Sequence, residues 1–166
     1  MRPDLIDVLN AISRTFDAEV APTVPEGLAK SQSNTISNLL RHATLRAELE
    51  GPTLAEDNED LRAVLDDAAA YARGHADLAE LADKLAAPCP TITGPAGYRG
   101  LAQVWEEAIT LRWRLQHAIE QLQAVRPAHR HEAAYGQLRD AIRGYLDRQL
   151  AREGQWITPA FTGPRR

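Results

Sequence analysis

LAQVWEEAITLRWRLQHAIEQLQAV, residues 101–125, is the longest periodic segment of the sequence. Its apolar residues recur every three or four positions, so they share one side of an α-helix. They are Leu101, Val104, Trp105, Ala108, Leu111, Leu115, Ala118 and Leu122. Ile109 and Trp113 add a second apolar side, which predicts that the helix lies centrally or meets a partner. The pattern predicts a helix over about residues 98–125 that ends before Pro127.

Similar periodicity on both sides of this segment predicts further helices, whereas strand signals are nearly absent. The predicted ranges are 4–20, 25–50, 56–73 and 130–153, with a short helix around Leu78, Leu81 and Leu85. Gly51 and Pro52 are predicted to end the second helix, and Thr53 to cap the third. Gly154 is predicted to end the last helix. Three prolines and two glycines predict a loop over residues 88–97.

Amphipathic helices with short connections fold best as a bundle. We therefore predict an all-α protein, an antiparallel bundle of four long helices plus one or two short ones. Residues 1–153 are expected to form a single domain, followed by a Pro/Gly-rich tail over residues 154–166. Trp156 and Phe161 in this tail are expected to fold back onto the bundle or to dock on another chain.

Composition excludes several classes of protein. The chain has 166 residues, with 19 Lys and Arg against 23 Asp and Glu, a net charge of −4. Nucleic-acid binding is not expected, because it usually needs a basic stripe. The single cysteine excludes a disulfide framework, and no apolar run approaches transmembrane length. These features predict a soluble, cytoplasmic protein without a membrane partner.

The motifs of nucleotide and metal sites are missing. The sequence has no G-x-x-x-x-G-K-[ST] loop, no G-x-G-x-x-G and no Glu-x-x-His pair. The nearest approach to a metal-binding pattern is His129, His131 and Glu132. Their position shortly after Pro127 favours the solvated start of a helix instead. We therefore predict no metal and no cofactor. Cys89 has no neighbouring cation in sequence, so a catalytic role for its thiol is not expected.

Polar residues form a row along the predicted second helix. Asn34, Asn38, Arg41 and His42 recur three to four residues apart, and Arg46 and Glu48 continue the row. Such a row faces water, a ligand or a partner. Trp113, which lies between two arginines, is expected at an interface or in the core. These seven residues are our candidate partner or ligand surface, and no catalytic residue is assigned.

The first half of the chain resembles a known family. The resemblance rests on Arg2-Pro3-Asp4-Leu5, Val20-Ala21-Pro22, the Asn-bearing second helix and Arg46-Ala47-Glu48-Leu49-Glu50-Gly51-Pro52, and it covers mainly residues 2–66. The family consists of small helical bacterial proteins of unknown function. They are typically encoded beside a phosphotransferase of the aminoglycoside-kinase type and acyl-CoA dehydrogenases.

The resemblance implies an accessory subunit of a kinase that phosphorylates 4-hydroxyacyl-CoA thioesters. Two other classes remain open. A stand-alone bundle enzyme would use His42 or His117 as base, with Arg41 or Arg112 holding an anion. A homodimeric interaction module, which is the simplest homo-oligomer, would instead form a two-fold apolar interface.

Overall fold

The computed structural model of the protein describes residues 3–88 and 99–160, with side chains up to Ile157. Among these residues it has no strand and five α-helices, so the predicted all-α bundle is confirmed. The helices are α1 (Leu5–Thr15), α2 (Leu28–Arg73), α3 (Ala79–Ala86), α4 (Leu101–His129) and α5 (Ala133–Ala160). A π-helical turn (Phe16–Val20) and a 3-10 turn (Ala21–Thr23) extend α1, and a second 3-10 turn (Ala76–Leu78) precedes α3.

The chain forms two compact units, where the sequence predicts one domain. Thr53–Leu150 is the larger unit, and the segments before and after it form the smaller one. All buried apolar side chains among the described residues belong to the larger unit. In the described part of the smaller unit, the buried residues are Ser33 and Glu50, which are both polar.

The predicted break at Gly51 and Pro52 is wrong, because α2 is one helix of 46 residues that includes both. A proline inside a helix costs about 3 kcal/mol, which packing on neighbouring turns can offset. Leu54, in the turn that follows, is buried against Val104 and Ala108 of α4. Thr53 is accordingly an interior residue of α2 and not a helix cap.

Two other predicted helix ends are also wrong. Pro127 lies inside α4, which continues to His129, and Gly154 lies inside α5, which continues to Ala160. His129 at the end of α4 is buried among the other residues of the larger unit, which holds this last turn in place. A single glycine costs only about 1 kcal/mol in a helix and does not by itself end one. The first part of the predicted tail is therefore helical, and residues 161–166 lie outside the described part.

In the larger unit, α2 and α4 run parallel while α5 runs antiparallel to both. Asn58 of α2 forms a hydrogen bond with Val104 near the start of α4, and Tyr71 forms one with His129 at the end of α4. Residue numbers therefore increase in the same direction along both helices. Against α5 the order reverses, since Arg148 of α5 pairs with Asp60 near the start of the larger unit. The predicted antiparallel order therefore holds for α5. Parallel neighbours need a long connection, and α3 lies in the segment between α2 and α4.

The core of the larger unit joins α2, α3, α4 and α5 through apolar side chains. They include Leu61, Leu65, Ala72, Leu78, Leu81, Leu111, Leu115, Leu122, Leu138, Ile142 and Tyr145. The predicted stripe of α4 is confirmed in its centre, from Val104 to Leu122. At the start of α2 the apolar side chains of Leu28, Ile36 and Leu39 are exposed, whereas Ser33 is buried.

Buried polar groups link the helices of the larger unit. Glu107 of α4, only 2% exposed, forms ion pairs with Arg62 of α2 and with Arg99. The side-chain amide of Asn58 donates to the Val104 carbonyl (3.0 Å) and to Glu107 (3.2 Å). A buried carboxylate needs such partners, so these contacts set the position of α4 along α2.

We expect Glu107→Ala to destabilise the protein strongly. Removing the carboxylate leaves the Asn58 amide and the guanidinium groups of Arg62 and Arg99 without their buried partner. Both arginine side chains are 35% exposed, so solvent screens part of the effect, and we expect a loss of about 1–3 kcal/mol of unfolding free energy. Urea denaturation followed by circular dichroism measures the change. Glu106→Ala is the matched control, because its side chain is exposed on the next position of the same helix, and it should shift the unfolding free energy by less than about 0.5 kcal/mol.

Candidate functional site

Five polar side chains meet where α2 and α4 end and α5 begins. We call them the histidine cluster, and they are Tyr71, His75, Asp77, His129 and Glu132. Gly74 follows the last residue of α2, and its N–H donates to the Tyr71 carbonyl, which places His75 in the turn. Glu132 lies in the short turn between α4 and α5, where its N–H donates to the His129 carbonyl at 2.9 Å.

The ring of His75 is held at both nitrogen atoms. Its Nδ1 lies 2.8 Å from the Tyr71 carbonyl oxygen, and its Nε2 lies 3.1 Å from Oε2 of Glu132. A carbonyl oxygen only accepts hydrogen bonds, so Nδ1 bears the proton. The Nε2 atom therefore points toward Glu132 with its lone pair when the ring is neutral.

The ring of His129 is buried, with 6% of its side chain exposed, and both its nitrogen atoms have partners. Its Nε2 lies 2.9 Å from Oδ2 of Asp77. Its Nδ1 lies 2.7 Å from the Tyr71 hydroxyl and 3.1 Å from Oε1 of Glu132. An ionised carboxylate only accepts hydrogen bonds, so Nε2 donates to Asp77, and in the neutral ring the lone pair of Nδ1 faces the centre of the cluster.

The hydroxyl of Tyr71 supplies one proton to two acceptors. It lies 2.8 Å from Oε2 of Glu132 as well as close to His129. Burial raises the pKa of the Tyr71 phenol, and the hydrogen bond to Glu132 raises it further, so the hydroxyl stays protonated near neutral pH.

The charges of the cluster support one another. The hydrogen bond to Asp77 raises the pKa of His129, while burial opposes it and the charge of Glu132 adds to it. The hydrogen bond from His129 lowers the pKa of Asp77, and the one from Tyr71 lowers the pKa of Glu132. The cluster thus favours an imidazolium between two carboxylates, or another cation in its place.

This arrangement has two chemical uses. Neutral imidazole and carboxylate can relay a proton, with Asp77 orienting His129. The same donor types bind metal ions, and one ligand atom each of His75, His129 and Glu132 lies within 4.8 Å of the others. No other such group of three occurs among the residues that the structure describes.

The polar row predicted on the second helix lies on α2 in the smaller unit. Asn34, Arg41 and Glu48 are exposed, and Asn38 and His42 are half-buried. Arg46 pairs with Glu50 one turn later, with Nε 2.9 Å from Oε2, and this pairing raises the pKa of Arg46. The row therefore offers a mostly accessible polar surface in which Arg46 already has a partner.

Trp113 belongs to the larger unit and is 66% exposed, so it is not a core residue. Together with Ile109, Leu85 and His117 it lines a shallow apolar groove of about 400 Å³. The structure therefore places Trp113 and the polar row in different units. Whether either surface binds a partner stays a prediction.

Two of the groups considered for a stand-alone enzyme, Arg112 and His117, contact other side chains. Arg112 donates to Asp57 at 3.1 Å, and its guanidinium lies 5.8 Å from the Trp105 ring centre. His117 lies 3.3 Å from the Lys84 ammonium. Cys89 lies outside the described residues.

A second groove of the larger unit combines arginines with an apolar floor. It lies between α4 and α5 and has a volume of about 500 Å³. Arg126, Arg139 and Arg143 lie along it, with Ile142 and Leu146 among the apolar residues. Guanidinium groups beside an apolar surface suit an anion that has an apolar part.

Sequence reasoning missed most of the histidine cluster. Among its members, only His129 and Glu132 were considered as metal ligands, because they lie within four residues together with His131. Tyr71, His75 and Asp77 precede them by more than 50 residues, and no local spacing connects the two groups. Only the parallel packing of α2 and α4 brings them together.

Comparison with known proteins finds no relative: no family model, curated protein or solved structure matches the chain. In the part of the chain that the structure describes, no helix combines the length and apolar character needed to cross a membrane.

We expect Asp77→Asn to lower the pKa of His129. The hydrogen bond to Asp77 is the main cause of the raised pKa of His129. The charge of Glu132 also raises this pKa, so the variant should lose only part of the increase. NMR titration of the His129 ring proton measures the change, and Asp83→Asn, an exposed aspartate on α3, should leave that pKa unaltered.

The same contact makes stability depend on pH. Because folding raises the pKa of His129, its stabilising contribution is complete below about pH 6.5 and disappears as the pH rises through the folded value. In Asp77→Asn, the free energy of unfolding should therefore decrease less as the pH rises above about 6.5. An unchanged pH profile together with an unchanged His129 pKa would contradict the assigned hydrogen bond.

Proposed function

We propose that the protein is a cytoplasmic accessory subunit of an aminoglycoside-phosphotransferase-like kinase that phosphorylates a hydroxyacyl-CoA thioester. In this proposal the kinase supplies the nucleotide site, and this chain supplies a docking surface. The supporting observation is the exposed apolar surface of the smaller unit, which has no buried apolar residue among those described.

The smaller unit leaves large apolar side chains in contact with water. We call them the apolar face, and they are Leu5, Val8, Ile12, Val20, Leu28, Ile36 and Leu39. Seven large apolar side chains exposed within residues 5–39 favour an interaction site in this part of the chain. A groove of about 400 Å³ between Ile12, Phe16 and Val20 offers space for a partner side chain.

Polar residues accompany the apolar face on α2. Asn34, Arg41 and Glu48 are exposed on the same helix as Leu28 and Leu39. Interfaces between proteins combine an apolar centre with a polar rim that contributes specificity more than affinity. The predicted polar row suits the role of such a rim.

Two features favour a kinase as the partner. The family resemblance covers mainly residues 2–66, which include the apolar face and the polar row. The sequence has no phosphate-binding loop, which agrees with a kinase partner that supplies the nucleotide site. The arginine groove between α4 and α5 suits a CoA thioester, whose phosphates are anionic and whose acyl chain is apolar.

A stand-alone enzyme is the second candidate function, and the histidine cluster favours it. His129, oriented by Asp77, would be the base in place of the predicted His42 or His117. A homo-oligomer would cover the same apolar face with a second copy of the chain.

Kinase turnover tests the proposal. A phosphotransferase of the aminoglycoside-kinase type from the same genome is assayed on 4-hydroxyacyl-CoA at saturating ATP, with and without this chain. Turnover should require both proteins. Equal turnover with and without this chain would contradict the proposal, and turnover by this chain alone would support the enzyme alternative.

We expect Leu39→Glu to weaken association with the kinase by about 1–3 kcal/mol, because a charge would enter the apolar centre of the interface. Leu150→Glu is the matched control, since Leu150 is 68% exposed on α5 and Leu39 is 54% exposed on α2. Isothermal titration calorimetry measures both. Size exclusion of the chain alone shows whether Leu39→Glu acts on self-association instead.

A further inference from the structure

Three potential ligand atoms converge at the open end of the histidine cluster. Nε2 of His75 lies 3.1 Å from Oε2 of Glu132, and Nδ1 of His129 lies 3.1 Å from Oε1 of the same carboxylate. The three residues come from the turn after α2, the end of α4 and the turn before α5. The folded larger unit therefore assembles this group from distant parts of the sequence.

Hydrogen bonds on the outer side of each ring determine which nitrogen faces inward. The Tyr71 carbonyl accepts a hydrogen bond from Nδ1 of His75 at 2.8 Å, and Asp77 accepts one from Nε2 of His129 at 2.9 Å. Both remaining nitrogens then point at the Glu132 carboxylate with lone pairs. Outer carboxylates and carbonyls orient the histidine ligands of metal ions in this way.

The inner side of the cluster has more acceptors than donors. With neutral rings, two nitrogen lone pairs and the two oxygens of Glu132 face one another, and the Tyr71 hydroxyl offers one proton. A cation at the centre balances these groups, and either an added proton or a metal ion can be that cation.

The spacing fits a metal ion. Two ligand atoms bound at about 2.0–2.1 Å to a tetrahedral zinc ion lie about 3.3 Å apart. His75 and His129 each lie 3.1 Å from Glu132, on different oxygens of its carboxylate, and one ligand atom from each of the three residues lies within 4.8 Å of the others.

The donor set selects the kind of metal. Two imidazoles and one carboxylate suit zinc or iron(II), whereas calcium and magnesium prefer oxygen ligands alone. Three protein ligands leave a further position open for water or substrate. The side chains of His75 and Glu132 are 25% and 41% exposed, so an ion can enter from solvent.

We propose that His75, His129 and Glu132 bind one first-row divalent transition-metal ion, with Asp77 and Tyr71 orienting the two imidazoles. This proposal replaces the sequence-based prediction of no metal site, and it does not depend on the proposed kinase partnership. It makes the far end of α2 in the larger unit a metal centre with an open coordination position.

Cobalt(II) binding to the full chain without a purification tag tests the proposal, because cobalt(II) substitutes for zinc and gives visible absorption bands that report its ligands. We expect one cobalt(II) per chain in a site with fewer than six ligands. Zinc should displace cobalt stoichiometrically. Absence of binding, or only the spectrum of the hydrated ion, would overturn the proposal and leave the cluster as a proton-held hydrogen-bond network.

Variants connect the binding to these residues. His75→Ala and Glu132→Gln each remove one ligand, and Asp77→Asn removes an orienting partner, which typically weakens metal binding by about 10–100-fold. We expect losses of at least that size for the two ligand variants, with unchanged helical circular dichroism. His131→Ala is the matched control, because His131 is an exposed neighbour outside the cluster, and it should bind cobalt(II) normally. Equal binding by His75→Ala and the native chain would overturn the proposal.

Discussion

The buried carboxylate of Glu107 holds α2 and α4 side by side. Its ion pairs with Arg62 and Arg99, and its hydrogen bond from Asn58, determine how far α4 is displaced along α2. The register continues through the buried leucines to the end of both helices, where Tyr71 meets His129. A carboxylate near the start of α4 thus positions a histidine at its end.

The helical fold is predictable from the sequence because the apolar period is strong, as in the central part of α4 from Val104 to Leu122. The helix ends are harder to predict. Pro52 and Gly154 are strong local signals for the end of a helix, yet both lie inside one. Packing offsets the cost of Pro52, and the cost of a single glycine is too small to end α5. The apolar period also does not reveal whether Leu39 faces a core or solvent, since a buried leucine and an exposed one look alike in sequence.

The histidine cluster could not be predicted for a different reason. His75 and His129 are 54 residues apart, and the parallel order of α2 and α4 follows from long-range packing. Prediction of an antiparallel pair would separate the same two histidines. The polar row on α2 is the opposite case, because its residues are neighbours along one helix and their common side follows from spacing alone.

The packing of α2 against both later helices, α4 and α5, has a consequence for how the chain folds during synthesis. Asp57 accepts a hydrogen bond from Tyr145, which the ribosome adds 88 residues later. Contacts this distant in sequence slow folding relative to helices that pair only with their immediate neighbours. The apolar side of α2 therefore becomes buried only after both later helices have been synthesised. In a nascent chain arrested before α5, this side stays accessible to chaperones and proteases.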